Sequence, residues 1–393
     1  MSIKKYLRPI NPDDLGYMPS GVTATIGDRT NAYTTAGDAF PDIPAGSLVL
    51  LGVPEDRGAE QNAGTAAAPN EIRRYLYRLT APVEDVSIID LGDIILGQTP
   101  DDTYYAVAEV VANVIAADST LILLGGSQDL TFAAYKGYER LNRIVNIAAI
   151  DPRFDLEVND IITSRTWIRN IIMQVPNYLF LLSNIGYQTY FVGQKSVQLM
   201  DELKFDAYRL GEIQGDMSRA EALLRNADLV SVDISAVRQS DAPGHGDPSP
   251  HGFYGEEFCQ MMRYAGASDK TTCLGIFDIN PLYDNHGQTA HAVAQALWYF
   301  IESFFNRKKD NPRLNPENCK HFIIDLEDQG MVIDFYKSKL TDRWWVQVPC
   351  DDPDRQSLYS EHLMLPCTYA DYQQAMSGDV PVLWWNYFQR MNG

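Results

Sequence analysis

The chain has 393 residues, 45% of them apolar and 21% charged, with a formal net charge of −20. That length holds one large α/β domain or two smaller ones, and a surface so acidic repels nucleic acid and anionic membranes. Five scattered cysteines without a CxxC pair suggest free thiols, neither a zinc knuckle nor a disulfide framework.

Charge and proline interrupt Met1–Pro9, so it does not read as a signal peptide. No run approaches the roughly 18 apolar residues of a membrane span, and a cytoplasmic protein is expected. Residues 1–45, rich in Pro, Gly, Asp and Thr, read as an irregular arm with room for one short strand. Ser47–Gly52 is the first buried strand. It leads into Val53-Pro-Glu-Asp-Arg-Gly58 and the small-residue stretch Asn62–Pro69. A helix is expected from about Asn70, with Ile72, Tyr75, Leu76 and Leu79 on one face. Val86–Leu91 is a second strand and Thr103–Ala117 a helix with valines inward. Leu121–Leu124 is a third strand, running into Gly125-Gly126-Ser127-Gln128-Asp129.

The apolar run Ile144–Ala148 then delivers Ala149-Ile-Asp-Pro-Arg-Phe-Asp155, two carboxylates four residues apart at the carboxyl end of a strand. Open α/β sheets place their chemistry there. Tyr178–Leu182, Thr189–Val192, Asp228–Asp233 and Cys273–Asp278 are read as further strands, and Thr289–Phe305 as a helix. Strands apolar on both faces alternating with helices indicate a parallel sheet covered on both sides. Asn306–Pro316 is a polar, proline-bearing linker. Beyond it, His321–Asp325 and Met331–Tyr336 flank Glu327–Gly330 as a β-hairpin. Trp344-Trp345 and Trp384-Trp385 bracket the remainder. They either pack on the domain or offer a partner surface.

Gly125-Gly126-Ser127-Gln128, Asp151-x-x-x-Asp155, Ser231-Val-Asp233-Ile-Ser235, Ala242-Pro-Gly-His-Gly246 and Phe277-Asp278-Ile-Asn280-Pro281 stand in an order that resembles the ureohydrolases: arginase, agmatinase and formimidoylglutamase. The resemblance covers about residues 48–305. It implies a three-layer α/β/α fold around a mostly parallel eight-stranded sheet. It also implies hydrolysis of a guanidino or formimino C–N bond at a two-manganese centre, where bridged cations lower the pKa of a water. The division expected is an N-terminal arm (1–45), a ureohydrolase-like domain (46–306) and a C-terminal hairpin and helical extension (307–393). Thr163-Ser-Arg-Thr-Trp-Ile-Arg169 is similar to the S-G-T-P-F-R stretch of formimidoylglutamases, with Arg165 and Trp167 replacing its glycine and proline. This favours that branch and fills a small-residue approach to the pocket.

Carried over by position, the family's ligand pattern is half kept. Asp151, Asp155 and Asp233 match, whereas Gln128 and Arg153 stand for histidines and Ser235 for an aspartate. Asp278 corresponds to the arginase-branch glutamate that meets the substrate. Asp151, Asp155, Asp233 and Gln128 would hold one divalent cation at best, Mn²⁺ or Mg²⁺. Full dinuclear occupancy is not expected, because Arg153 cannot ligate a cation. The expectation is that its guanidinium replaces the second metal, bonding Asp151 and Asp233. His245 and His251 are candidate remodelled ligands, and His286 and His291 read as structural. Two readings follow: a non-catalytic family member with a binding or assembly role, or a one-metal hydrolase of a linear amidine or guanidine. Homo-oligomerisation is implied by the resemblance only.

Overall fold

A computed structural model describes residues 3–16, 23–37, 39–83 and 86–393. Parts of the expected N-terminal arm therefore lie outside the described residues. The strands are, in chain order, β1 (Leu7–Arg8), β2 (Thr30–Ala32), β3 (Leu48–Gly52), β4 (Ile88–Ile94), β5 (Thr120–Leu124), β6 (Val145–Ile150), β7 (Leu179–Tyr187), β8 (Asp206–Arg209), β9 (Leu229–Asp233) and β10 (Cys273–Phe277). Eight of them form a parallel run in the order β4-β3-β5-β10-β9-β6-β7-β8. At its β4 edge, β1 adds antiparallel and β2 parallel, bringing the sheet to ten strands.

Side-chain alternation explains the three layers. Leu48, Leu50, Ile122, Leu124, Ala148 and Ile150 face one core, while Val49, Leu51, Leu121, Leu123, Ile147 and Ala149 face the other. Both faces are apolar because each is covered by helices. Gln288–Phe305 and Gly255–Gly266 pack on the first face, and Pro100–Ala116 and Leu130–Arg140 on the second.

One local reading is corrected. Thr189–Val192 is a turn leading to the helix Gln194–Glu202, not a strand. Its β-forming residues follow β7, which already ends at Tyr187, and Phe191 N–H donates to Gln188 O at 2.8 Å. The strand next to β7 is instead β8, an edge strand too polar to stand out in the sequence. Burial pushes the Asp206 carboxyl on β8 up to about 6, against a hydrogen bond from Ser183 Oγ (3.0 Å) and the charge of Arg390. A carboxyl raised above its unfolded value contributes stability below pH ~4 and loses it as pH rises through about 6. Asp206→Asn is therefore expected to stabilise by about 1 kcal/mol at pH 8, a value discounted for partial exposure, and to be neutral near pH 4. Urea melts at the two pH values check this.

After an irregular linker, residues 319–393 build a second sheet, β11 (Cys319–Leu326), β12 (Met331–Ser338), β13 (Trp344–Gln347) and β14 (Met364–Cys367). It is antiparallel throughout, in the order β11-β12-β13-β14. The hairpin matches the sequence reading; β13 and β14 were not legible in it. Helices Tyr369–Met376 and Val382–Asn392 complete a third core that takes in Phe180 and Leu181 from β7. Trp344, Trp345 and Trp384 are buried, so three of these four tryptophans pack and only Trp385 is exposed, at 41%. They do not form a continuous partner surface.

Arg225 ties the sheet to the main domain. It donates to Trp344 O (3.0 Å) and Cys367 O (3.4 Å), pairs with Glu221 (2.9 Å) and stacks on Trp345 at 4.3 Å. Losing this buried charge strands two carbonyls, so Arg225→Ala is expected to cost about 3 kcal/mol. Limited proteolysis should show faster cleavage in residues 306–318 of that variant.

Candidate functional site: an acidic cluster at the strand ends

The central strands β5, β10, β9 and β6 lie side by side, and their carboxyl ends lead to Gln128, Asp278, Asp233 and Asp151 respectively, so topology alone gathers these four residues. Asp155 follows one turn after β6. All five are buried. The backbone is fixed around them. Asp278 N–H donates to Gly126 O (2.8 Å), and Gln128 N–H donates to Asp278 Oδ2 (3.2 Å). Asn62 Nδ2 donates to Asp278 O at 2.7 Å, which locks the loop after β3 onto the loop after β10. Gly126 lies at φ +77, and a Cβ there would sit 2.6 Å from Val53 O, so the turn after β5 requires glycine. Asp155 (φ 46) and Asp278 (φ 63) are also left-handed, a region aspartate tolerates better than most residues.

The expected Arg153 bridge is not formed. Asp151 Oδ1 accepts the backbone N–H of Arg153 (2.6 Å), and Arg153 O accepts from Asn184 Nδ2 (2.7 Å). The side chain of Arg153 turns outward, lies 4.1 Å over the Phe191 ring and reaches Asp247 at 3.4 Å. Its guanidinium pairs with neither Asp151 nor Asp233.

A different arginine supplies the charge. Arg165, on the loop 163–166, approaches Asp155 Oδ1 at 3.9 Å. Burial disfavours its charge, yet Asp155, Asp233, Asp151 and Asp278 together hold it above the ordinary guanidinium range. Its neighbour Trp167, fully buried, donates Nε1–H to Asp155 Oδ2 at 2.8 Å. The loop is anchored by Ser164 N–H to Gly58 O (3.0 Å), Glu157 N–H to Arg165 O (3.1 Å) and Thr163 Oγ1–H to Glu60 (2.6 Å). The two residues that replace glycine and proline thus meet the acidic cluster directly. The sequence carried the signal: a cation had entered a small-residue loop facing several carboxylates.

One positive charge does not balance the cluster. Burial first, then Asp155 and Asp233, push the Asp151 carboxyl well above the usual range. Burial also raises Asp155, to about 6, against the pull of Arg165. Asp278 is raised by burial, Asp233 and Asp129. Asp151 Oδ2, Asp155 Oδ1, Asp278 Oδ1, Gln128 Oε1 and Ser235 Oγ have no hydrogen-bond partner among the described residues. Gln128 spends its amide N–H on Ser231 Oγ (3.3 Å), and Asp233 Oδ1 accepts Ser235 N–H (2.7 Å).

The donors around the cluster are mixed. Gln128 and Ser235 are weak donors, Arg153 is turned away, and a guanidinium stands beside Asp155. Among the described residues no three His, Cys, Asp or Glu side chains are disposed around one ion. His245 is buried near the mouth, its imidazole pKa lowered by burial, and its Nδ1 accepts Asp247 N–H (2.9 Å). His251 is exposed, and His291 stacks on Tyr75 at 4.9 Å on the outer helix layer. His286, also exposed, lies in the short turn before that helix. A cavity of about 260 Å³ opens over the cluster, lined by Glu60, Asn62, Arg153, Glu157, Arg165, Asp233, His245, Asp247 and Asp278 among others. Glu60, Asn62 and Asp247 were not singled out from the sequence as site residues.

Comparison with known proteins agrees with this frame. Residues 46–302 match the Arginase family model. The formimidoylglutamase of Staphylococcus epidermidis is 28% identical over 268 residues, 64% of this chain and 85% of that protein. The Staphylococcus aureus formimidoylglutamase is 25% identical over 276 residues, 66% of this chain and 87% of that protein. Among solved structures, Bacillus subtilis formimidoylglutamase superposes with a TM-score of 0.65 at 18% identity, covering 74% of this chain and 95% of that one. Trypanosoma cruzi formiminoglutamase with Mn²⁺₂ gives a TM-score of 0.61 at 19% identity, over 66% and 94%. No helix among the described residues is long and apolar enough to cross a membrane. The strand-end motifs, the eight parallel strands and the family match lead to one conclusion: this chain belongs to the arginase, or ureohydrolase, family, on its formimidoylglutamase branch.

Proposed function

We propose that this chain is a non-catalytic member of its family, a ureohydrolase scaffold kept for binding or assembly, acting in the cytoplasm as a homo-oligomer. One observation carries the reading. Arg165 brings a permanent cation to the acidic cluster, and Trp167 closes on the same carboxylate, Asp155. A guanidinium neutralises carboxylates without offering an open coordination position, so it can stabilise the cluster but cannot activate water.

A second reading has its own support. The unpartnered oxygens of Asp151, Asp155, Asp278 and Gln128 are hard donors, as a single Mg²⁺ or Mn²⁺ would require. On that reading the chain hydrolyses a linear amidine or guanidine, with Asp278 as the substrate contact.

Release of urea, ammonia or formamide from arginine, agmatine and formimidoylglutamate, with and without added Mn²⁺, separates the two. The first reading expects no turnover above buffer in either condition. Manganese-dependent turnover that disappears in Asp233→Asn would overturn it.

A further inference from the structure

We propose that β11 pairs edge to edge with β11 of a second copy of this chain, antiparallel and centred on Ile323. The site lies in the C-terminal sheet, beyond the part of the chain that matches the family model. Among the described residues β11 has one neighbouring strand, β12, and the ladder between them runs through eight consecutive pairs without a bulge. On the other side, the backbone groups of Lys320–Asp325 have no partner among the described residues. An open edge of that length has neither a proline nor a bulge to prevent strand addition; the charges it carries, Lys320 and Asp325, stand near its ends.

The side chains favour a copy of the same strand as the occupant. On the outer face of the sheet, Ile323 is 63% exposed and Val332, on β12, is 54% exposed. A two-fold axis through Ile323 sets Ile323 against its equivalent, which buries the most exposed apolar side chain of the strand. The same register places His321 opposite Asp325 twice, and Phe322 opposite Ile324 on the inner face. His321 is already aligned by Asp334 (2.6 Å) and by stacking on Tyr336 (4.6 Å). Shifting the axis to Phe322 puts His321 against Ile323, and shifting it to Ile324 puts Asp325 against Ile323. Both lose the complementary pairs. Each copy carries −20, so long-range repulsion opposes the contact and salt screens it.

Sedimentation equilibrium of the full chain at 0.01 and ~0.15 M salt tests the proposal. The wild-type mass is expected to double reversibly with concentration, more readily at the higher salt. Whatever oligomer the α/β domain forms, Ile323→Lys should halve that mass, because it sets two lysines against each other on the axis. Asp325→Lys should weaken association by about tenfold, His321→Lys should leave it intact, and Val332→Lys, one strand inward on the same face, should not affect it. Circular dichroism confirms that each variant is folded. A wild-type mass that never doubles up to ~100 µM overturns the proposal. So does a mass that Ile323→Lys leaves unchanged, or one that Val332→Lys reduces equally.

Discussion

Replacing Arg165 with methionine is expected to destabilise the folded chain by about 3 kcal/mol at pH 8, the scale of removing one partner from a buried ion pair. The substitution keeps most of the side-chain volume. It removes the only arginine, among the described residues, whose side chain pairs with the cluster of Asp151, Asp155, Asp233 and Asp278. The effect should depend on pH in a definite direction. Asp155 is held at about 6, above its unfolded value, so its favourable contribution exists in acid and is lost as pH rises through that value. Arg165 opposes this loss by favouring the carboxylate. Without it, Asp155 and its neighbours resist ionising more strongly, and the gap between variant and wild type widens from pH 5 to pH 8. Urea unfolding across that range reads both the size and the slope. A gap that narrows with rising pH would mean that Arg165 contributes packing rather than charge.

The second large effect concerns metal affinity. Restoring the family's ligands alone, as Gln128→His, Arg153→His and Ser235→Asp together, is expected to give little Mn²⁺ binding while Arg165 remains. A fixed positive charge ~5 Å from a divalent cation opposes it by several kcal/mol even at an effective dielectric constant of about 20. Adding Arg165→Gly, the glycine that the resemblance implies at this position, should raise Mn²⁺ affinity at least about a hundredfold over the triple variant. Isothermal titration of the two variants measures the difference directly. Equal affinities would show that the lost ligands, and not the arginine, set the metal preference.

Which features were legible in the sequence follows from the physics of each. β3, β5, β6, β9 and β10 could be read because each is buried on both faces, and a short unbroken apolar run between turn residues is what a strand covered on both sides requires. Once they are parallel neighbours, the convergence of Gln128, Asp151, Asp233 and Asp278 is a consequence of topology. β8 was hidden because an edge strand needs no apolar pattern, and β13 and β14 because short strands reveal themselves through partners distant in sequence. The direction of Arg153 could not be read either. It depends on Asp151 spending an oxygen on the Arg153 backbone and on Phe191 offering a ring face, both set by tertiary structure. The arginine that meets the cluster lies ten residues after Asp155, in a loop whose path the sequence pattern does not specify. The guanidinium expected at the cluster is present as a different residue, Arg165, and its carboxylate contact is Asp155.

Manganese titration of the metal-free wild-type protein is the most direct test of whether the Arg165 guanidinium has taken the place of metal. No stoichiometric binding is expected in the wild type, and a gain of binding is expected in the single variant Arg165→Gly. Wild-type protein that takes up one or two Mn²⁺ per chain with micromolar or tighter affinity would contradict that claim.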